Sequence, residues 1–267
     1  MGKFFTVVAK PDIVKGDISN VIDSDTGDLD VGDNDVVFDW VEIDVPSGSN
    51  MLRSINMFVN GENTSAHGSA IIDYDLIFAK SFNGNAPQSI GTTNTALLAA
   101  NVGWPRQHWI GTYKFIGANA VASNTSHLGS GHGYTSNGVK TAPGGGLPMI
   151  LDLEPGSGTS VGYDKLYMAG VHGGARNYAT GVIVNGAITS DTEDTITVDG
   201  TDAREIFSIG DTVYLHDVDT ALGTVKSINS DGTAITLNAA IAGGTNLADD
   251  DELVNANPFI IRLGFER

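Results

Sequence analysis

The chain has no cysteine in its 267 residues. Disulfide scaffolds, thiolate nucleophiles and zinc–sulfur sites are therefore excluded. Basic residues are scarce: 14 Lys and Arg stand against 32 Asp and Glu, for a formal net charge of −18. Such a surface repels nucleic-acid phosphates and anionic lipid, so neither direct nucleic-acid nor membrane binding is expected; it would complement a basic partner. No apolar run approaches the roughly 18 residues of a membrane span, and the run before Pro11 is too short for a signal core. Helical periodicity is almost missing, with "TNTALLAANVGW" (93 to 104) the one candidate helix. Catalytic signatures are missing as well. There is no HExxH and no GxSxG, and the glycine-rich "GGGLPMILDLE" runs into a strand where a phosphate loop needs a helix. Acid and base residues are scattered without a marked pairing. No catalytic residue and no cofactor is assigned.

What the chain does have is glycine, 34 residues of it, with Ser, Thr and Asn throughout and many short alternating runs. In "DVVFDWVEIDVP", Val37, Val41 and Ile43 alternate with Val36, Phe38 and Trp40, a period near two. "MLRSINMFVN", "AIIDYDLIFAKS", "WIGTYKFI", "LPMILDLE", "KLYMAGVHG" and "FIIRLGFER" extend the series. The reading is all-β, an antiparallel β-sandwich.

The texture changes near residue 180. From there to about 255 the strands are shorter, and turn pairs fall at Asn185-Gly186, Asp199-Gly200, Gly210-Asp211 and Asp231-Gly232. The last pair lies between "GTVKSI" and "AITLNA", a strong hairpin signal. Such a run suits a small closed β-barrel of the SH3 or OB type. The long apolar strand that follows belongs with the earlier sandwich. The expected organisation is thus a sandwich from residues 1–180 and 256–267, with a barrel inserted at 181–255. Insertion at a loop is cheap because closure entropy grows slowly with length.

Four groups are candidate sites. The acidic stretch "VIDSDTGDLDVGDND" (21 to 35) offers Asp23, Asp25 and Asp28 as weak calcium ligands. Counted from Asp23 as an EF-hand loop, however, positions 5, 6 and 12 hold Gly27, Asp28 and Asn34, which is the wrong chemistry at each. A solvated acidic loop is the preferred reading, and no metal is assigned. Zinc binding by His127, His132 and His172 would require separate loops to converge; exposed or interface histidines are preferred. The aromatic run "GWPRQHWIGTYKF" supplies Trp104, Arg106 and Trp109 as interface candidates, although Trp109 and Phe115 also suit a core with Tyr113 or Trp104 at its rim. Finally, the first sixteen residues hold a local basic excess, Lys3, Lys10 and Lys15, beside Phe4, Phe5 and Val7. That composition suits an anchor that adds a strand to a partner's sheet, or an ordinary first strand.

The order of these strings resembles a group of tailed-phage virion structural proteins of the capsid-decoration, or cement, type. The likeness rests on Met51 to Asn60, Leu76 to Ser81, Ser89 to Leu97, Lys165 to Thr180 and Ile260 to Arg267. It skips residues 181–255, where such proteins are contiguous. The resemblance implies a non-enzymatic shell component, made in the host cytoplasm and placed on the capsid exterior. Its partners would be the major capsid protein and copies of itself, a trimer being one form. A carbohydrate-binding or host-attachment module of a tail or head fibre is the alternative, built on the Trp104 to Tyr113 aromatics.

Overall fold

The computed structural model describes residues 3–14, 35–45, 51–60, 73–91, 93, 107–116, 121–122, 131–135, 147–156, 163–174, 178, 180–189, 192–216, 218–241 and 245–267. In chain order the strands are β1 (Phe4–Ala9), β2 (Val36–Ile43), β3 (Met51–Asn60), β4 (Asp73–Lys80), β5 (Trp109–Phe115), β6 (Val121–Ala122), β7 (Gly131–Thr135), β8 (Met149–Ile150), β9 (Leu166–Gly173) and β10 (Val182–Val184). Then come β11 (Thr195–Gly200), the single helical turn α1 (Ala203–Ile206), β12 (Thr212–Leu215), β13 (Val218–Ile228), β14 (Ala234–Leu237), β15 (Leu253–Asn255) and β16 (Phe259–Glu266). Every strand pairing is antiparallel, so the chain is all-β as its alternating runs predict. The stretch read as a helix at 93–104 lies outside the described residues except for Thr93.

Two sheets face each other across one core. The first runs β1-β16-β3-β7-β6, with β8 also on β3; the second runs β2-β9-β4-β5. Strand β16 shows why the sequence folds this way. Phe259, Ile261, Leu263 and Phe265 alternate inward and are fully buried, while Arg262 between them is exposed. They meet Leu52, Ile55, Met57 and Val59 of β3 and, from the opposing sheet, Phe38, Tyr74, Leu76, Phe78 and Met168. Burying each such side chain stabilises the fold by about 1.5–3 kcal/mol. Phe259 is the hub, with ring centroids 5.9 Å from Phe38, 5.5 Å from Tyr74 and 5.8 Å from Tyr178.

The second sheet departs from simple alternation in two ways. Register shifts in β2 put Val37 and Phe38 into the same core, whereas alternation assigns them to opposite faces. Its outer face is also buried. Val36, Ile77, Ala169 and Val171 pack with Ile90, and the segment carrying Ile90 is fastened to β2: the Trp40 indole donates to the Gln88 carbonyl at 2.7 Å, the Ile90 amide to Asp39 at 3.0 Å, and Thr93 Oγ1 to the Val37 carbonyl at 3.2 Å. At position 170 a Cβ would stand 2.5 Å from the Phe38 ring, so only glycine admits that ring.

Residues 182–255 form a third sheet, β10-β11-β14-β13-β12-β15. It curls until its edges meet: Ile183 bridges Glu252, and the Val184 amide donates to the Asp251 carbonyl at 2.8 Å. The curl encloses its own core of Val184, Ile196, Val198, Val213, Val225, Ile235 and Leu237. Gly186, Gly200, Gly210 and Gly232, the turn positions read from sequence, all have φ between 73° and 88°, the left-handed region that favours glycine. The turn α1 has no sequence signature beyond its Asp202 cap, which accepts from the Arg204 amide at 2.9 Å. The closed SH3- or OB-like barrel expected at 181–255 corresponds here to this curled sheet.

The curled sheet is docked, not merely tethered. Tyr214, Val254 and Ala256 belong to the sandwich core. Buried Asp211 accepts from Lys10 Nζ at 2.6 Å, from the Ser208 amide at 2.8 Å and from Asn255 Nδ2 at 3.1 Å. Where the chain enters and leaves the sheet, Glu252 accepts from the Thr180 and Gly181 amides at 2.8 and 2.9 Å, and Thr180 Oγ1 donates to the Leu253 carbonyl.

Candidate interaction surface

Strand β1 is an edge. It pairs with β16 in unbroken register from Phe4↔Glu266 to Ala9↔Ile261. Lys3 and Arg267 exchange both backbone bonds, at 3.3 and 3.0 Å. Hydrogen-bonded pairs alternate along an antiparallel ladder, so Phe5, Val7 and Ala9 turn their amides and carbonyls toward β16. Those of Phe4, Thr6 and Val8 point away, into the open edge. Side chains follow the same alternation. Phe5 stacks on Phe265 at 5.2 Å, and Phe5 and Val7 pack on the core. Phe4 is 71% exposed and Val8 47%.

The outward face of this sheet continues the apolar character. Half-buried Ile260 and Phe58 are register partners, and Met51 pairs with Ile150, which is 72% exposed. Exposed Arg53, Asn56 and Arg262 are interspersed. Apolar and polar side chains thus share the face, with Arg262 and Asn56 as register partners near its middle.

The interface candidates from the sequence separate in space. Phe4 lies on the open edge, Phe5 and Val7 are turned into the core, and Lys3 is exposed. Lys10 is committed within the chain, to Asp211 and to the Ile209 carbonyl. Lys15, Trp104, Arg106 and the aspartates Asp23, Asp25 and Asp28 lie outside the described residues. Trp109 is 46% exposed, not a core residue, because a register shift between Phe78 and Ala79 turns it out; Tyr113 and Phe115 do enter the core, rings 4.9 Å apart. Phe82 is also partly exposed, edge-on to His108 at 5.9 Å.

His172, expected at the surface or an interface, is buried, and so is His108. His108 is held by its ring Nδ1 against the Lys80 carbonyl at 2.7 Å, and His172 lies 3.1 Å by Nε2 from the Tyr178 hydroxyl. Neither position carries a sequence signal of burial; each is fixed by tertiary packing. Among the described residues no three His, Asp or Glu side chains converge as a metal site would need. Nor is any described helix long and apolar enough to cross a membrane.

The described ionised groups serve local structure. Glu154 accepts from the Asn83 and Gly84 amides at 2.6 and 3.0 Å. Desolvation raises its pKa, but these amide bonds, together with the Ser81 side chain and the Lys80 charge, leave the carboxyl below its ordinary value. The Lys80 ammonium, 2.8 Å away, lowers Asp152, and the Arg204 guanidinium lowers Asp202. The Lys165 ammonium is raised by Glu42, 2.5 Å distant. None faces a cleft shared with an acid or base partner.

The chain matches no protein-family model, and no curated protein or solved structure matches it. What its surface can do is therefore argued from its own geometry.

Proposed function

We propose that the chain is a non-enzymatic virion structural protein that decorates the outside of a tailed-phage capsid. The observation that carries this reading is the outward face of the β1-β16-β3 sheet. It presents Phe4, Val8 and Ile150 exposed and Ile260 and Phe58 half-buried, with Arg53, Asn56 and Arg262 among them, on the outside of the sandwich core. That is equipment for holding another protein, with no convergent acid–base group beside it. The resemblance noted in the sequence adds the shell as the setting. Four of its five strings, Met51 to Asn60, Leu76 to Ser81, Lys165 to Thr180 and Ile260 to Arg267, fall on β3, β4, β9 and β16, the inner strands of the two sheets.

On this reading the sandwich seats on the major capsid protein, and buried area resists the pressure of packaged DNA. A stable contact needs upwards of about 1,000 Å². The acidic surface keeps the exposed remainder soluble and away from nucleic acid. The test is binding of purified protein to undecorated capsids, with and without chelator. Saturable binding at a fixed copy number per capsomer is expected, unchanged by chelator. Absence of saturable binding would overturn the proposal.

Exposed Trp109 favours a second reading, a carbohydrate-binding or host-attachment module, because sugars stack on exposed aromatic rings. Glycan-array binding that disappears in Trp109→Ala would support it over the capsid role.

A further inference from the structure

We infer that the open edge of β1 is occupied by the β1 strand of a second copy of this chain, paired antiparallel about a two-fold axis at Thr6. The inference does not depend on the capsid reading.

The first observation is how the chain treats its other sheet edges. An exposed edge strand templates unwanted pairing, and proteins blunt it with bulges, charges, brevity or a cover. Strand β2 has two register shifts and carries Asp39 and Glu42. Strand β5 has a register shift and carries Lys114, paired with Asp73 at 3.0 Å. Strand β6 is two residues long, and the curled sheet joins its own edges. Among the described residues β1 alone has none of these devices. Phe4–Ala9 holds no charge, no proline and no bulge.

The second observation is self-complementarity. Centred on Thr6, two antiparallel copies oppose Phe4 to the second copy's Val8, Thr6 to Thr6 and Val8 to Phe4. These are the residues whose backbone groups face the open edge, so each opposed pair exchanges two bonds. On the outward face each row then runs Glu266, Phe4, the second copy's Val8 and its Arg262, since Phe4 pairs with Glu266 and Val8 with Arg262. Opposite charges flank an apolar pair, and no like charges oppose one another, which matters for two chains of −18 each.

The area fits a reversible pair. A phenylalanine carries about 150–250 Å², so each Phe4, 71% exposed, leaves well over half of that to cover. Two six-residue strands plus two Phe4–Val8 pairs reach the small, dissociable class of interface, below about 1,200 Å². The result is one continuous sheet across two sandwiches, and the two-fold operation closes at two copies.

The test uses the full chain. Light scattering after size exclusion, across a dilution series, should give a dimer that dissociates on dilution. Thr6→Lys places two ammonium groups opposite each other on the axis and should yield a monomer that melts where the diluted, dissociated wild-type chain does. Because the chain lacks cysteine, Thr6→Cys is a single-thiol probe: a short bis-maleimide should link it to a covalent dimer, while the hairpin-tip variant Ser230→Cys stays unlinked. A monomer at every concentration would overturn the inference, as would a trimer, a dimer that survives Thr6→Lys, or equal cross-linking at both cysteines.

Discussion

Replacing Asp211 with alanine tests the polar network at its carboxylate, which ties the Ser208 turn to Asn255 within the curled sheet and reaches the sandwich through Lys10. Asp211 is 1% exposed and accepts from Lys10, from the Ser208 amide and from Asn255. The last two donors are protein groups left without this acceptor in the variant. A hydrogen bond to a charged acceptor contributes about 1.5–3 kcal/mol, so together they account for roughly 3–6 kcal/mol. Lys10 adds little to that figure. Its side chain is 30% exposed, water can solvate the freed ammonium, and an exposed pair contributes less than about 1 kcal/mol. Asp211→Ala should therefore cost about 3–6 kcal/mol and Lys10→Ala no more than about 1 kcal/mol, the latter because the carboxylate keeps two donors. Urea unfolding followed by tryptophan fluorescence and by far-ultraviolet dichroism measures both, with coincident curves as the check on two-state behaviour. A loss under about 1 kcal/mol for Asp211→Ala, or a larger loss for Lys10→Ala, would refute the reasoning.

Excision of residues 181–255 should leave a sandwich that is markedly less stable, since it removes Tyr214 and Val254 from the sandwich core; thermal melting against the full chain measures this, and an unchanged melting temperature would contradict the shared core. Glu154, whose folded pKa is depressed, contributes stability that is present above the ordinary carboxylate range near 4.3 and is lost as pH falls through the lower folded value. The Asn83 and Gly84 amide resonances should titrate with a midpoint below that range and lose the transition in Glu154→Gln; a midpoint at or above it would show that burial outweighs the two amide bonds.

Much of this architecture is written in local chemistry. The four turn glycines at positive φ and the strict alternation of β16 follow from single residues and a period of two. Their consequences, a hairpin-rich excursion and a final strand returning to the sandwich, are legible for the same reason. What escapes sequence reasoning is decided between elements. Val37 and Phe38 share a core because β2 slips against β9, and Trp109 turns outward because β5 slips against β4. Burial of His108 and His172 likewise depends on neighbours far away in the chain. Phe4, Phe5 and Val7 beside a basic excess read as a strand, but which of them face its edge is set by the register on β16. Lys10 shows the limit from the other side. Its local basic context suggests an outside partner, while its partner is Asp211, 201 residues away.

The place of β16 between β1 and β3 has a consequence for biosynthesis. Every pairing of the curled sheet lies within residues 182–255, so that sheet can form while translation is still under way. The first sheet cannot be completed then, because Phe259–Glu266, the strand that joins β1 to β3, is made after all the others, and β1 has no partner until it arrives. For most of synthesis the aliphatic faces of β1 and β3 wait uncovered, the condition that recruits chaperones. A nascent chain stalled before Phe259 should accordingly yield a protease-resistant fragment spanning 182–255 and a protease-sensitive remainder.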